Sequence, residues 1–117
     1  MVEHGIWVVG VQTATIDSNW VFGVINSVDQ DVEMETYFGW TGGITASDGG
    51  TITITNNIVA GSWHHGFHFT PDQCSVASSS DAFRNNVAHS ISGYGAIAAN
   101  VENDCTIVHY FTAYKVT

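Results

Sequence analysis

Apolar positions along this chain come in short alternating runs. Stretches such as Gly5-Ile6-Trp7-Val8 and Gly66-Phe67-His68-Phe69 are broken by Gly, Asn, Asp and Ser. Alternation with a period of two places successive side chains on opposite faces of a strand. No stretch sustains the i, i+3, i+4 apolar spacing of a helix, and Leu is absent altogether. Val, Ile, Thr and aromatic residues dominate, which suits a pleated surface.

The runs also align with one another. Thr15-Ile16-Asp17-Ser18-Asn19-Trp20-Val21 matches Thr53-Ile54-Thr55-Asn56-Asn57-Ile58-Val59 and Ala82-Phe83-Arg84-Asn85-Asn86-Val87-Ala88. Thr106-Ile107-Val108-His109-Tyr110-Phe111-Thr112 is a fourth copy without the Asn, aligning Ile107 with Phe83. A second element, a Gly followed by an alternating apolar run, recurs at Gly5, Gly66 and Gly95. A repeat of this length cannot bury its own apolar face, but stacked repeats share a continuous core. The pattern predicts an all-β fold, a right-handed parallel β-helix of about four coils, as one segment spanning residues 1–117. The steps from Asn57 to Asn86 and from Phe83 to Ile107 suit single coils. The longer step from Ile16 to Ile54 implies an insertion near residues 27–40. Asn19, Asn57 and Asn86 are then expected to stack as a ladder at one bend, satisfying backbone groups there. The competing architecture is an antiparallel sandwich of short strands.

The last residues, Ala113 to Thr117, read as a strand cut short, and neither end carries a cap or a polar tail, which suggests a piece of a longer solenoid. The opening residues Met1 to Gly10 lack the basic stretch of a signal peptide. Cys74 and Cys105 are the two cysteines. Bridged, they close a loop of roughly 30 residues and stabilise by about 3–4 kcal/mol. The alternative is two unrelated buried thiols.

Charge narrows the function classes. The chain has two Lys and Arg against eleven Asp and Glu, a formal net charge of −9. So few cations cannot neutralise many phosphates, which argues against nucleic-acid partners and against anionic membrane surfaces. No run of about 20 apolar residues is present to span a bilayer, so no membrane insertion is expected of this segment. Charged residues make up only 11% of the chain. The polar surface is instead built from Ser, Thr, Asn and Gly, a style that suits secreted proteins.

Several constellations carry possible chemistry. Asp29, Asp31, Glu33 and Glu35 alternate, so a strand would line four carboxylates on one side. Such a row could take up calcium, or simply form a solvated acidic edge that blocks sheet pairing. His64 and His68 could point the same way and hold a metal weakly. In the plainer reading Phe67 and Phe69 face inward and the histidines face solvent. His89 is expected as a buried, hydrogen-bonded turn residue. Glycan cleavage needs two acids about 5–9 Å apart. Asp17 aligns instead with Thr55 and Arg84. Four tryptophans are many for this length. Trp20 aligns with Ile58 and Val87 and is expected inward. Trp40 and Trp63 are the candidates for an exposed glycan platform.

Certain strings carry a family likeness. Asn56-Asn57-Ile58-Val59-Ala60-Gly61-Ser62, Gly66-Phe67-His68-Phe69, Cys74 and Phe83-Arg84-Asn85-Asn86-Val87-Ala88-His89-Ser90 resemble the parallel β-helix repeats of the fibrocystin and fibrocystin-L family. Cell-surface and secreted hyaluronidases share this region. Gly93-Tyr94-Gly95-Ala96-Ile97 resembles the family's Gly-rich strand, and Cys105-Thr106-Ile107 its next coil, which also opens on a Cys. The likeness is good over residues 50–117 and loose over residues 5–26. It implies an extracellular or cell-surface location, with ciliary or surface-coat settings included. It also implies a structural or adhesive role, alone or in a filament, with neighbouring coils or subunits as partners and without a cofactor. The hyaluronidase branch implies glycan binding or cleavage as the alternative. An oxidising compartment also favours the Cys74–Cys105 bridge.

Overall fold

The computed structural model describes residues 5–24, 42–47, 51–69, 72–73, 82–98, 104–105 and 108–117. Of Ser47, Asp72, Gln73, Asp104 and Cys105 it describes the backbone alone. Within these residues the chain winds into four coils, each giving one strand to each of three sheets, with one short extra strand in coils III and IV. Coil I holds β1 (Ile6–Val9), β2 (Thr13–Asp17) and β3 (Trp20–Phe22). Coil II holds β4 (Gly42–Ser47), β5 (Thr51–Thr55) and β6 (Ile58–Ala60). Coil III holds β7 (His65–Phe69), the short β8 (Asp72–Gln73), β9 (Phe83–Arg84) and β10 (Val87–Ile91). Coil IV holds β11 (Tyr94–Ala98), β12 (Asp104–Cys105), β13 (Val108–His109) and β14 (Thr112–Val116).

Equivalent strands of successive coils pair in parallel, giving three sheets. The first runs β1-β4-β7-β11, the second β2-β5-β9-β13 and the third β3-β6-β10-β14. Among the described strands only β8 and β12 pair antiparallel, as a small flap with Cys105 opposite Asp72. This is a parallel β-helix solenoid of about four coils. The sandwich alternative is excluded, because it would require antiparallel pairing throughout.

The corner between the second and third sheets is two residues long in every coil. The first of the two is left-handed: Ser18, Asn56, Asn85 and Tyr110 all have φ between 49° and 58°. Asn and Ser tolerate this conformation because a short polar side chain can bond locally. The left-handed residue reverses the bend, so the next residue points inward. Asn19, Asn57, Asn86 and Phe111 occupy that inward position. A second left-handed row, Gly23, Gly61, Ser90 and Lys115, follows the same logic at the far edge of the third sheet.

Inward rows build the core. Ile16, Ile54 and Phe83 line the second sheet, and Val21, Val59 and Ala88 the third. Ile44 and Phe67 line the first. Each such Val, Ile or Phe side chain contributes about 1.5–3 kcal/mol by leaving water. In the upper coils the row of Val21 and Val59 narrows to Ala88 and Ala113, and phenylalanines fill the space. Phe69 stacks on Phe83 with centroids 4.5 Å apart, while Phe67 meets Phe83 edge-on at 5.5 Å.

A glycine row seals the first sheet against the third. Gly5, Gly43, Gly66 and Gly95 stand one above another, each beside the inward residue of the third sheet. A Cβ on Gly43 would collide with Val59, and one on Gly66 would sit 2.8 Å from Ala88 Cβ. The Gly43-Ile44 copy belongs to the recurrent element found at Gly5, Gly66 and Gly95.

Two alignments are corrected by the register. Val108, not Ile107, pairs with Phe83. The corner sets the phase: Tyr110 takes the left-handed position of Asn85, so Phe111 falls where Asn86 stands one coil below. Trp20 is not inward either. It is 71% exposed, because it follows the inward Asn19 and strand alternation turns it to solvent. Its partners Ile58 and Val87 lie on that same outer face, half-buried.

Candidate functional site

The buried asparagines form a hydrogen-bonded ladder along the solenoid axis. The backbone N–H of Asn19 and its Nδ2 both donate to Asn57 Oδ1, at 2.9 and 3.0 Å. Asn57 repeats this toward Asn86 Oδ1, at 3.0 and 3.1 Å. The second Nδ2 hydrogen of Asn57 reaches down to the Ile16 carbonyl, and that of Asn86 to the Ile54 carbonyl. Asn57 and Asn86 are fully buried. The Asn57 amide therefore uses both Nδ2 hydrogens and its oxygen, and the Asn57 and Asn19 backbone N–H groups at the bend find acceptors in the ladder. In coil I, Asn19 Nδ2 turns to its own Asp17 carbonyl instead.

Outside this ladder runs a polar row on the surface. Asn85 Nδ2 donates to Asn56 Oδ1, and Asn56 Nδ2 donates to Asp17 Oδ1 at 2.8 Å. Thr55 Oγ1 donates to the same oxygen at 2.6 Å, and Ser18 Oγ to Oδ2. These bonds, from Thr55 first, then Asn56 and Ser18, hold the Asp17 carboxyl below its usual range. Above Asp17 the row continues as Thr55, Arg84 and His109. It contains no second carboxylate to serve glycoside hydrolysis. The Arg84 guanidinium lies 5.5 Å from the centre of the Tyr110 ring.

The histidines of β7 depart from the expected outward placement. His65 and His68 are both buried, His68 at 2% exposure, and all five residues of the strand are covered. Their rings lie 6.5 Å apart between centroids, and His65 also packs 5.6 Å from the Tyr94 ring. Burial, with His65 nearby, pushes the His68 pKa down to about 4. His64 is half-buried just before the strand, its ring 5.9 Å from that of His65. Among the described residues no group of three or more His, Cys, Asp or Glu converges on a metal-sized site. His89 is also placed differently from expectation. It is half-buried on the outer face of β10, its ring stacked 4.8 Å from Tyr114.

Trp63 is 57% exposed at the turn entering coil III. Trp20 and Phe22, which the alignment did not single out as surface residues, form an exposed edge-to-face pair on the third sheet, 6.1 Å between centroids. The signal that could have found them is the inward Asn19, since alternation from it turns residues 20 and 22 outward. Asp29, Asp31, Glu33, Glu35, Trp40 and Cys74 lie outside the described residues. Cys105 is described by its backbone in β12. Among the described residues no helix is long and apolar enough to cross a membrane.

No protein-family model matches the chain, and no solved structure matches it. The chain is 33% identical over 115 residues to fibrocystin from Canis lupus familiaris. That match takes in 97% of this chain and 3% of fibrocystin, so the chain spans a small fraction of the relative's length. Over nearly all its residues, this four-coil solenoid is similar to one short stretch of fibrocystin.

Proposed function

We propose that this chain is a structural or adhesive β-helix segment of a fibrocystin-like extracellular or cell-surface protein. The observation that carries the reading is continuity. Among the described residues the left-handed corner and the glycine row recur in all four coils, and the asparagine ladder joins three of them. Such a body suits a spacer that holds neighbouring parts of a long protein at a set distance. Its partners are then neighbouring coils of a longer chain, or neighbouring subunits. The similarity to fibrocystin supports the surface location, as does a surface of Ser, Thr and Asn with two basic residues. The test is surface biotinylation of intact cells carrying the tagged parent protein. Labelling is expected, and a strictly intracellular protein overturns the reading.

Glycan binding is a second reading, favoured by the exposed Trp20–Phe22 pair and by Trp63. Sugar C–H bonds stack on aromatic faces. Quenching of tryptophan fluorescence by oligosaccharides, lost in Trp20→Ala, supports it. Cleavage of a polysaccharide would instead move the chain to the hyaluronidase-like alternative.

A further inference from the structure

The outer face of the third sheet is a largely apolar strip along the side of the solenoid. Trp20 and Phe22 stand on it in β3, Ile58 in β6, Val87 and His89 in β10 and Tyr114 in β14. Trp20, Phe22 and Tyr114 are exposed. Ile58, Val87 and His89, which belong to the two inner coils, are half-buried. The strip is thus open to solvent through its middle, and none of these outward positions carries an Asp or Glu.

Its size and borders narrow the choice of occupant. Four strands about 4.8 Å apart, with two outward side chains each, span on the order of 250 Å². A standard protein interface takes about 800 Å² from each partner, so the strip alone is too small to hold a folded protein or a second copy of this chain. One border is polar: the corner row that leads into the sheet sets the Asn56 and Asn85 amides in a hydrogen-bonded line, followed by the exposed Tyr110. Planar amides and a phenol bond sugar hydroxyls, and the apolar strip meets the C–H faces of sugar rings.

Spacing and charge select the sugar. An equatorially linked pyranose advances its chain by close to the strand spacing of about 4.8 Å, so an extended glycan laid along the solenoid axis sets one sugar over each coil. The net charge of −9 with two basic residues repels a polyanion, whereas an uncharged chain meets no opposing field. We propose that the outer face of the third sheet binds a neutral, extended, β-linked glycan lying along the solenoid axis. This rests on the glycan-binding reading and names the site and the class of sugar.

The test is isothermal titration calorimetry on the full chain with cellobiose, cellotriose and cellotetraose, and with a hyaluronan tetrasaccharide as the acidic comparison. Affinity should rise with each added glucose and exceed that for hyaluronan. Trp20→Ala should weaken cellotetraose binding more than tenfold and Val87→Glu, in the middle of the strip, several-fold, each with an unchanged circular dichroism spectrum. Thr15→Glu adds the same charge to the outer face of the second sheet and should leave binding unchanged. Binding that Trp63→Ala abolishes and Trp20→Ala spares overturns the placement, as does equal weakening by the two Glu variants. Tighter binding of hyaluronan overturns the sugar class. Both results leave the glycan-binding reading standing. No binding of any of the four overturns the inference, and the broader reading falls with it only if an array of neutral and acidic glycans is also blank. Self-association that Val87→Glu abolishes overturns it too, giving the strip to a second copy. If Trp20→Ala does not fold, Val87→Glu against Thr15→Glu decides.

Discussion

Asn86 Oδ1 accepts two hydrogen bonds from Asn57, one from its backbone N–H and one from its Nδ2. A single buried oxygen thus ties coil II to coil III through main chain and side chain together. Bonds in such a network strengthen one another in a low-dielectric interior, and each orphaned member costs its own desolvation.

Asn57→Ala should therefore destabilise the fold by about 2–4 kcal/mol. It removes one donor to the Ile16 carbonyl and the acceptor for Asn19. Asn19→Ala, at the ladder's end and half-buried, should cost about 1 kcal/mol. Urea unfolding of both variants checks the ranking, and equal losses would show that the ladder is not cooperative.

The glycine row makes a second prediction. Gly66→Ala puts a Cβ against the Gly95 carbonyl oxygen and 2.8 Å from Ala88 Cβ. The expected loss is about 1–3 kcal/mol. Adding Ala88→Gly should not restore it, because the Gly95 oxygen is backbone and cannot step aside. Thermal melts of the single and double variants decide this.

His68 makes stability depend on pH. Its pKa is about 4 in the folded chain against an ordinary 6.5. Between those values the unfolded chain binds a proton that the folded chain refuses. Stability is thus complete above pH 6.5 and falls as pH drops toward 4, by roughly 1–3 kcal/mol from this group. His68→Thr, which copies the residue at the equivalent Thr45 position, should flatten the slope across that window. Denaturant unfolding at several pH values measures it, and an unchanged slope would assign the effect to other groups.

Cys105 faces Asp72 in the β8–β12 flap, two residues along the chain from Cys74. If the two thiols are joined, the unreduced protein should show no titratable thiol. Reduction should then lower stability by about 3–4 kcal/mol. Two titratable thiols under native conditions would exclude the bridge.

Much of the fold could be read from residue order, and the reasons are local. Asn57 and Asn86 are short amides that bend and bond at once, so the repeat announces itself where they occur. The fourth copy slipped by one residue because Tyr110 and Phe111 do the same geometric work with no shared chemistry. Matching Trp20 to Ile58 and Val87 does not fix its direction, because apolar residues also line the outer face of the third sheet. The burial of His65 and His68 was not legible at all. Alternation along one strand sets which face a side chain takes and carries no record of how far that face is covered.

The two-residue corner after the second sheet has one more consequence. Its length never varies, while the connections at the other corners differ from coil to coil. Adding a residue beside Asn57 would turn the whole third sheet inside out, yet the stretch between Phe69 and Phe83 can lengthen without disturbing a single rung. Removal of one entire period, from His65 to Gly93, would seat Tyr94 where His65 had been and leave the register whole. Evolution can therefore change the reach of this rod in steps of a full turn, and decorate its flanks freely, but cannot adjust it by a single residue at that hinge.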